Sequence, residues 1–229
     1  MTRAHSDAEP KVHDIIRELR AHGNKRNVAG MARFGINPNN TLGVSIPILQ
    51  GLAKRIGANH DLAAALWKTG IHEARILAGF VDDPKRVTLA QMNRWVKDFD
   101  SWDVCDQVTC FLFDRTPYAY AQAVCWSHAK EEFVKRAGFS LMAGLAWHDK
   151  TAPDQKFLPF LRCIQAEADD NRNFVKKAAN WALRNIGKRN PALGKKSMAI
   201  ARRLAKSPLP SARWIGKDAE REFRAKGIQ

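Results

Sequence analysis

The chain has 229 residues, with 38 Lys and Arg against 23 Asp and Glu, a formal net charge of +15 and a pI near 10.0. At this length, 45% hydrophobic content is enough to bury a core, which excludes a disordered polycation. The longest apolar stretch, Phe139 to Trp147, is nine residues, far short of the roughly 20 a membrane helix needs, so no membrane span is expected and a membrane is not the favoured partner.

Met1 to Lys11 carries charge and a proline but no apolar h-region. No cleaved secretory signal is expected there, and the reading is a cytoplasmic chain whose first ten or so residues form a flexible N-terminus. Beyond it, apolar residues recur with a helical period almost everywhere. The spacing predicts helices over Val12–Leu19, Pro47–Ile56, Asp61–Lys68, Ile71–Phe80, Leu89–Phe99 and Trp102–Phe113, then over Glu131–Trp147, Lys156–Ala166, Asn173–Ile186, Leu193–Ala205 and Ser211–Phe223. Alternating strand patterns are scarce. The breaks are short, as at Asp82-Asp83-Pro84, Arg115-Thr116-Pro117 and Asn190-Pro191, and connections this brief make consecutive helices antiparallel neighbours.

An internal echo accompanies the helices. Glu132-Phe133-Val134-Lys135-Arg136-Ala137-Gly138 returns 41 residues later as Asn173-Phe174-Val175-Lys176-Lys177-Ala178-Ala179, and more weakly as Ile215-Gly216-Lys217-Asp218-Ala219. Helix pairs repeating every 30 to 47 residues or so mark HEAT-like or armadillo-like solenoids, in which each pair buries its apolar face against its neighbours. The expected fold is therefore all-α: one α-solenoid domain of HEAT-like antiparallel helix pairs over residues 1–229. Arg136 and Lys177 share a repeat position, so both are expected on one concave, basic wall.

The charge is uneven. After Arg115 there are 22 basic and 10 acidic residues, and from Asn171 to Lys206 eleven Lys and Arg with no Asp or Glu. Solvated helices ordinarily mix signs, because like charges at i,i+4 repel. An unmixed stretch points to an anionic partner, with nucleic acid favoured because phosphate neutralisation releases counterions. A solvated basic face and an acidic protein or lipid partner are the alternatives.

Four cysteines, Cys105, Cys110, Cys125 and Cys163, fall in apolar helical patterns without Cys-x-x-Cys pairing or histidines at ligand spacing, and read as small buried hydrophobes. Trp67, Trp95, Trp126 and Trp147 read as packing residues. Trp102 stands apart in Asp100-Ser101-Trp102-Asp103-Val104-Cys105-Asp106, where its i,i+4 spacing sets ring and Asp106 carboxylate on one helix face. Asp103 suits the first helical turn, where the dipole favours acids. Asp106 lies a turn deeper among apolar residues and needs a donor or cation; a salt bridge to a neighbouring repeat would satisfy it as well as a functional role. Trp181 is likewise open. With Phe174 and Ala178 it forms a core-like stripe, yet it is also the i,i+4 neighbour of Lys177.

The motifs Leu42-Gly43-Val44-Ser45-Ile46-Pro47, Ser101-Trp102-Asp103-Val104-Cys105-Asp106, Phe133-Val134-Lys135-Arg136-Ala137 and Phe174 to Arg184 resemble those of the AlkD-type DNA alkylation repair glycosylases, a HEAT-like repeat family. The resemblance extends over roughly Met31 to Phe223. It implies a DNA glycosylase that hydrolyses the N-glycosidic bond of cationic N3- or N7-alkylpurines in duplex DNA, acting in base excision repair as a monomer without cofactor or obligate protein partner, cytoplasmic and nucleoid-associated when on DNA. By that resemblance the catalytic aspartate falls on Asp106, the two groove tryptophans on Trp102 and Trp181, and the active-site arginine on Arg136. Phe34 takes the place of a tyrosine often found nine residues before the Gly-Val-x-x-Pro motif, and Lys176, Lys177, Arg184 and Lys188 are further phosphate contacts. An alkylated purine already carries positive charge and departs without an acid, so one carboxylate suffices where ordinary glycosides need two.

The alternatives are a non-catalytic HEAT-like protein that binds damaged or branched DNA, and a protein–protein scaffold. The chain shows no Gly-rich phosphate loop, no helix-hairpin-helix and no zinc-deaminase motif.

Overall fold

The computed structural model describes residues 4–228, with side chains from residue 12 onward, and contains thirteen α-helices and no strand among them. No helix among the described residues is long and apolar enough to cross a membrane. Of the flexible start expected for residues 1–10, residues 1–3 lie outside the described residues and 4–10 belong to the helix that begins at Ala4. The chain divides into two compact units, Met1–Thr116 and Pro117–Gln229.

The first unit holds α1 (Ala4–Ala21), α2 (Lys25–Arg33), α3 (Ile46–Ile56), α4 (His60–Lys68), α5 (His72–Val81), α6 (Leu89–Trp95) and α7 (Trp102–Phe111). Single 3-10 turns, Val96–Asp98 and Phe113–Arg115, end the last two and shorten both helices against the periodicity. Helix α5 is central, packing on α3, α4 and α7, and its residues Ala74, Leu77 and Ala78 are fully buried. Trp67 and Trp95 are the packing residues expected, stacked with centroids 3.9 Å apart and planes 4° from parallel. The Trp67 Nε1–H is satisfied by Asp98 at 2.8 Å, as a buried indole requires.

The second unit holds α8 (Ala119–Ser127), α9 (Glu132–His148), α10 (Leu158–Ala166), α11 (Asn173–Gly187), α12 (Pro191–Ala205) and α13 (Pro210–Ala225), with a 3-10 turn, Asp154–Phe157, before α10. Helix α9 packs between α8 and α11, while α12 and α13 pair with each other. At Gly138 the backbone of α9 meets α8 so closely that a Cβ would collide with the Ser127 backbone. The echo is visible here: repeat-equivalent Phe133 and Phe174 lie in ring contact, centroids 5.7 Å apart.

Two helices escape the periodicity. Helix α2 is nine residues long with none of them buried, so its few apolar positions are too short a run to stand out, and α8 has apolar residues all round. Helix α2 instead starts on a local signal, the Asn24 side chain, which caps Arg26 and Asn27 N–H at 2.9 and 3.2 Å. Cys125 and Trp147 also depart from their readings. Cys105, Cys110 and Cys163 are buried but Cys125 is exposed, and Trp147 is 59% exposed at the last turn of α9.

Candidate nucleic-acid interface

In the first unit the candidate residues gather where α7 begins. Ser101 occupies the N-cap position, yet its Oγ accepts from the Asn37 N–H at 2.9 Å rather than capping its own helix. Asn37 Nδ2 donates to Asp100 at 2.8 Å, so the loop after α2 is stitched to the start of α7. A second anchor lies under that loop. The fully buried Glu73 carboxylate accepts the N–H groups of Leu42, Gly43 and Val44 at 2.9, 2.6 and 3.2 Å. Gly43 adopts φ +81, and a Cβ there would strike the Asn24 carbonyl oxygen, so this position of the Leu-Gly-Val motif requires glycine.

These anchors bring Phe34 to Trp102, whose indole Nε1–H donates to the Phe34 carbonyl at 3.1 Å. The Phe34 ring is 73% exposed. Phe34, Met31, Ile46 and Trp102 line a cleft of about 470 Å³ with Asp103 and Gln107 among its polar residues. Asp103 is buried, and its Oδ2 pairs with His72 Nε2 at 2.9 Å. Burial alone would lower the His72 pKa, but the hydrogen bond and charge of Asp103, with the charges of Glu73 and Asp100, outweigh it and raise the imidazole above 6.5. The motif aspartate that looked like a helix-dipole residue is therefore also a partner for a buried histidine. Trp102 and Asp106 are both half-buried, one turn apart on α7.

In the second unit the sequence-predicted residues separate by role. Arg136 is only 6% exposed and its Nη1 donates to the Phe174 carbonyl at 2.7 Å, whereas repeat-equivalent Lys177 is exposed. The repeat position therefore does not give the two residues the same exposure, because α11 lies over Arg136. Lys176 is half-buried, its Nζ 5.5 Å from the centroid of the Trp214 ring. Arg184 and Lys188 both pair with Glu222, Lys188 at 2.8 Å, and Arg184 also lies 3.8 Å from Asp218. Burial raises the Glu222 pKa less than these cations lower it. Arg184 and Lys188, in the acid-free stretch of the sequence, thus find their counter-charges on α13, 34 to 38 residues downstream.

Trp181 is half-exposed and lines a surface cleft of about 450 Å³ together with Trp147, Lys150, Asn185, Lys188 and Arg189. The open choice between core and surface is settled by that cleft. Trp147 reads as a packing residue from sequence, and neither Lys150 nor Arg189 is a site candidate there. Their signal is the abrupt passage at Trp147 from an apolar run into His148-Asp149-Lys150, where an aromatic residue meets polar ones.

A chain of antiparallel helix pairs with equivalent residues stacked one repeat apart defines a HEAT-like repeat protein. A solved structure described as "a new family of proteins related to the HEAT-like repeat DNA glycosylases with affinity for branched DNA structures" superposes with a TM-score of 0.77 at 22% identity, covering 94% of each chain. The model of a family described as "DNA alkylation repair enzyme" matches residues 15–212, and the chain belongs to that family. No curated protein matches the chain in sequence.

Proposed function

We propose that the protein is a DNA glycosylase that releases N3- and N7-alkylpurines from duplex DNA. The observation that carries this reading is the pair on α7: Trp102 and the Asp106 carboxylate, half-buried and one turn apart, in a chain of the DNA alkylation repair family. In the reaction the C1′–N bond breaks, its electron pair leaves with the base, and the cationic purine becomes neutral. The sugar becomes an oxocarbenium-like cation. Asp106 stabilises that charge and orients the water that adds to C1′, taking or relaying its proton. Trp102 offers an electron-rich ring to the same developing cation.

Lys176 and Lys177 contribute sequence-independent phosphate contacts, with Trp181 packing beside them on the DNA. Arg136, bonded to the Phe174 carbonyl, adds fixed positive potential at the start of α11. Arg184 and Lys188 meet phosphate only in competition with Glu222. Incubation with N-methylpurine-damaged duplex tests the reading: the wild type should release free base, and Asp106→Asn should lose release while keeping DNA affinity. Equal release by the two proteins would sink it.

A second reading, non-catalytic binding of branched DNA, is favoured by the structural neighbour described as having that affinity, and by Phe34 at a position where a tyrosine is often found. It predicts tight binding to a branched duplex and no base release from any methylated one.

A further inference from the structure

We propose that the cleft between the C-terminal ends of α9 and α11 binds one unpaired nucleotide of DNA, its base stacked on Trp147 and its phosphate held by Lys150 and Lys188. This rests on the DNA-binding part of the function proposed above, shares Trp181 and Lys188 with it, and adds a nucleotide contact at Trp147. The cleft, about 450 Å³, is the size of a small-ligand site, and no acidic residue is among those that line it.

Its electrostatics are one-sided. Arg189 Nη1 donates to the carbonyls of Ala146 and Asp149 at 2.9 and 2.8 Å, and Nη2 to that of Ala152 at 3.1 Å. Its guanidinium also lies 4.0 Å over the Phe157 ring. These partners fix the group without cancelling its charge. Lys150 is exposed, and Lys188 shares a single carboxylate, Glu222, with Arg184. The cleft therefore presents three cations and at most part of one counter-charge.

Trp147 supplies what phosphate binding alone does not need. An indole 59% exposed costs hydration, and this one is held in place by the His148 ring, centroids 5.1 Å apart, with Trp181 forming part of the same wall. A base in an intact duplex already has both faces stacked on its neighbours. An unpaired one does not, and an exposed ring beside backbone-seeking cations is the combination that holds single-stranded nucleotides.

The test measures binding by fluorescence anisotropy to three DNAs of equal length: a fully paired duplex, a duplex with one bulged nucleotide, and a duplex with a single-stranded overhang. The wild type should prefer the unpaired nucleotide, and the two modified duplexes tell an internal bulge from a free end. Trp147→Ala should weaken that binding about tenfold and leave the paired duplex within about twofold, while Trp147→Phe keeps most of it. Lys150→Gln should weaken the bulged duplex more than the paired one. Equal losses on all three DNAs, or none, would overturn the proposal, as would a wild type indifferent to the unpaired nucleotide. A wild type that binds paired duplex tightly but shows no such preference overturns this assignment alone; one that binds none of the three overturns the DNA-binding reading with it.

Discussion

The Glu73 carboxylate and the Gly43 N–H meet at 2.6 Å beneath the surface, and the loop that carries Phe34 toward Trp102 is built over that contact. A carboxylate receiving three backbone N–H groups in the interior is strong when complete and costly when broken, because each donor left behind is desolvated. Glu73→Gln turns an NH2 toward those donors and should destabilise the fold by about 3 kcal/mol, a fall in Tm on the order of 10 °C by thermal denaturation. Gly43→Ala should act in the same direction through strain at φ +81. An unchanged Tm for both would show that the loop does not depend on this anchor.

The His72–Asp103 pair makes stability depend on pH near neutrality. The folded-state pKa of His72 is raised above its ordinary 6.5, so the protonated pair contributes fully below that value and its contribution is lost as pH rises through the folded pKa. Urea denaturation between about pH 5.5 and 8.5 should show wild-type stability falling with rising pH more steeply than that of His72→Gln. Parallel profiles would contradict the pairing.

Lys177 and Arg184 lie on the same helix but should answer different experiments. Lys177 is exposed, so Lys177→Ala should leave Tm unchanged and lower the salt slope of DNA binding by about one. Arg184 is tied to Glu222 and Asp218, so Arg184→Ala should cost about 1 kcal/mol of stability and change the salt slope little. The reverse pattern would place Arg184, not Lys177, on the phosphates.

Acid should loosen the second unit at one cluster. Lys135 lies 2.6 Å from Glu167 and 3.1 Å from Asp170, and Asp170 also pairs with Arg172 at 2.6 Å. Burial raises the Asp170 pKa, but bonds from Arg172 and Lys135 bring it down to about 2, and Glu167 is lowered as well. Stability from these carboxylates is complete above their unfolded values, near 3.8 and 4.5, and is lost as pH falls through the folded ones. Lys135→Met should therefore destabilise by about 3 kcal/mol at pH 7, with the difference from wild type shrinking toward pH 3. A difference that holds constant with pH would assign the loss to packing.

Most helices were legible because burying one face forces a 3.6-residue apolar repeat, as in α5 and α11. Helix α2 was not, since none of its residues is buried and only the Asn24 cap marks its start. The Trp102 and Asp106 spacing could be read directly, as it lies within one helix. Partners on other helices could not: nothing near Arg184 in sequence announces Glu222, and nothing near Gly43 announces Glu73. Trp147 misled because an apolar run continues in sequence past the point where its helix leaves the core.

The carboxylates of α13 that neutralise Arg184 and Lys188 act as counter-ions built into the chain. Glu222 holds both cations, and Glu220 lies 3.9 Å from Arg202, so these three of the 38 Lys and Arg already have a carboxylate partner before any phosphate arrives. A phosphate must displace those carboxylates, so Arg184 and Lys188 should add less to DNA affinity than exposed Lys177 does.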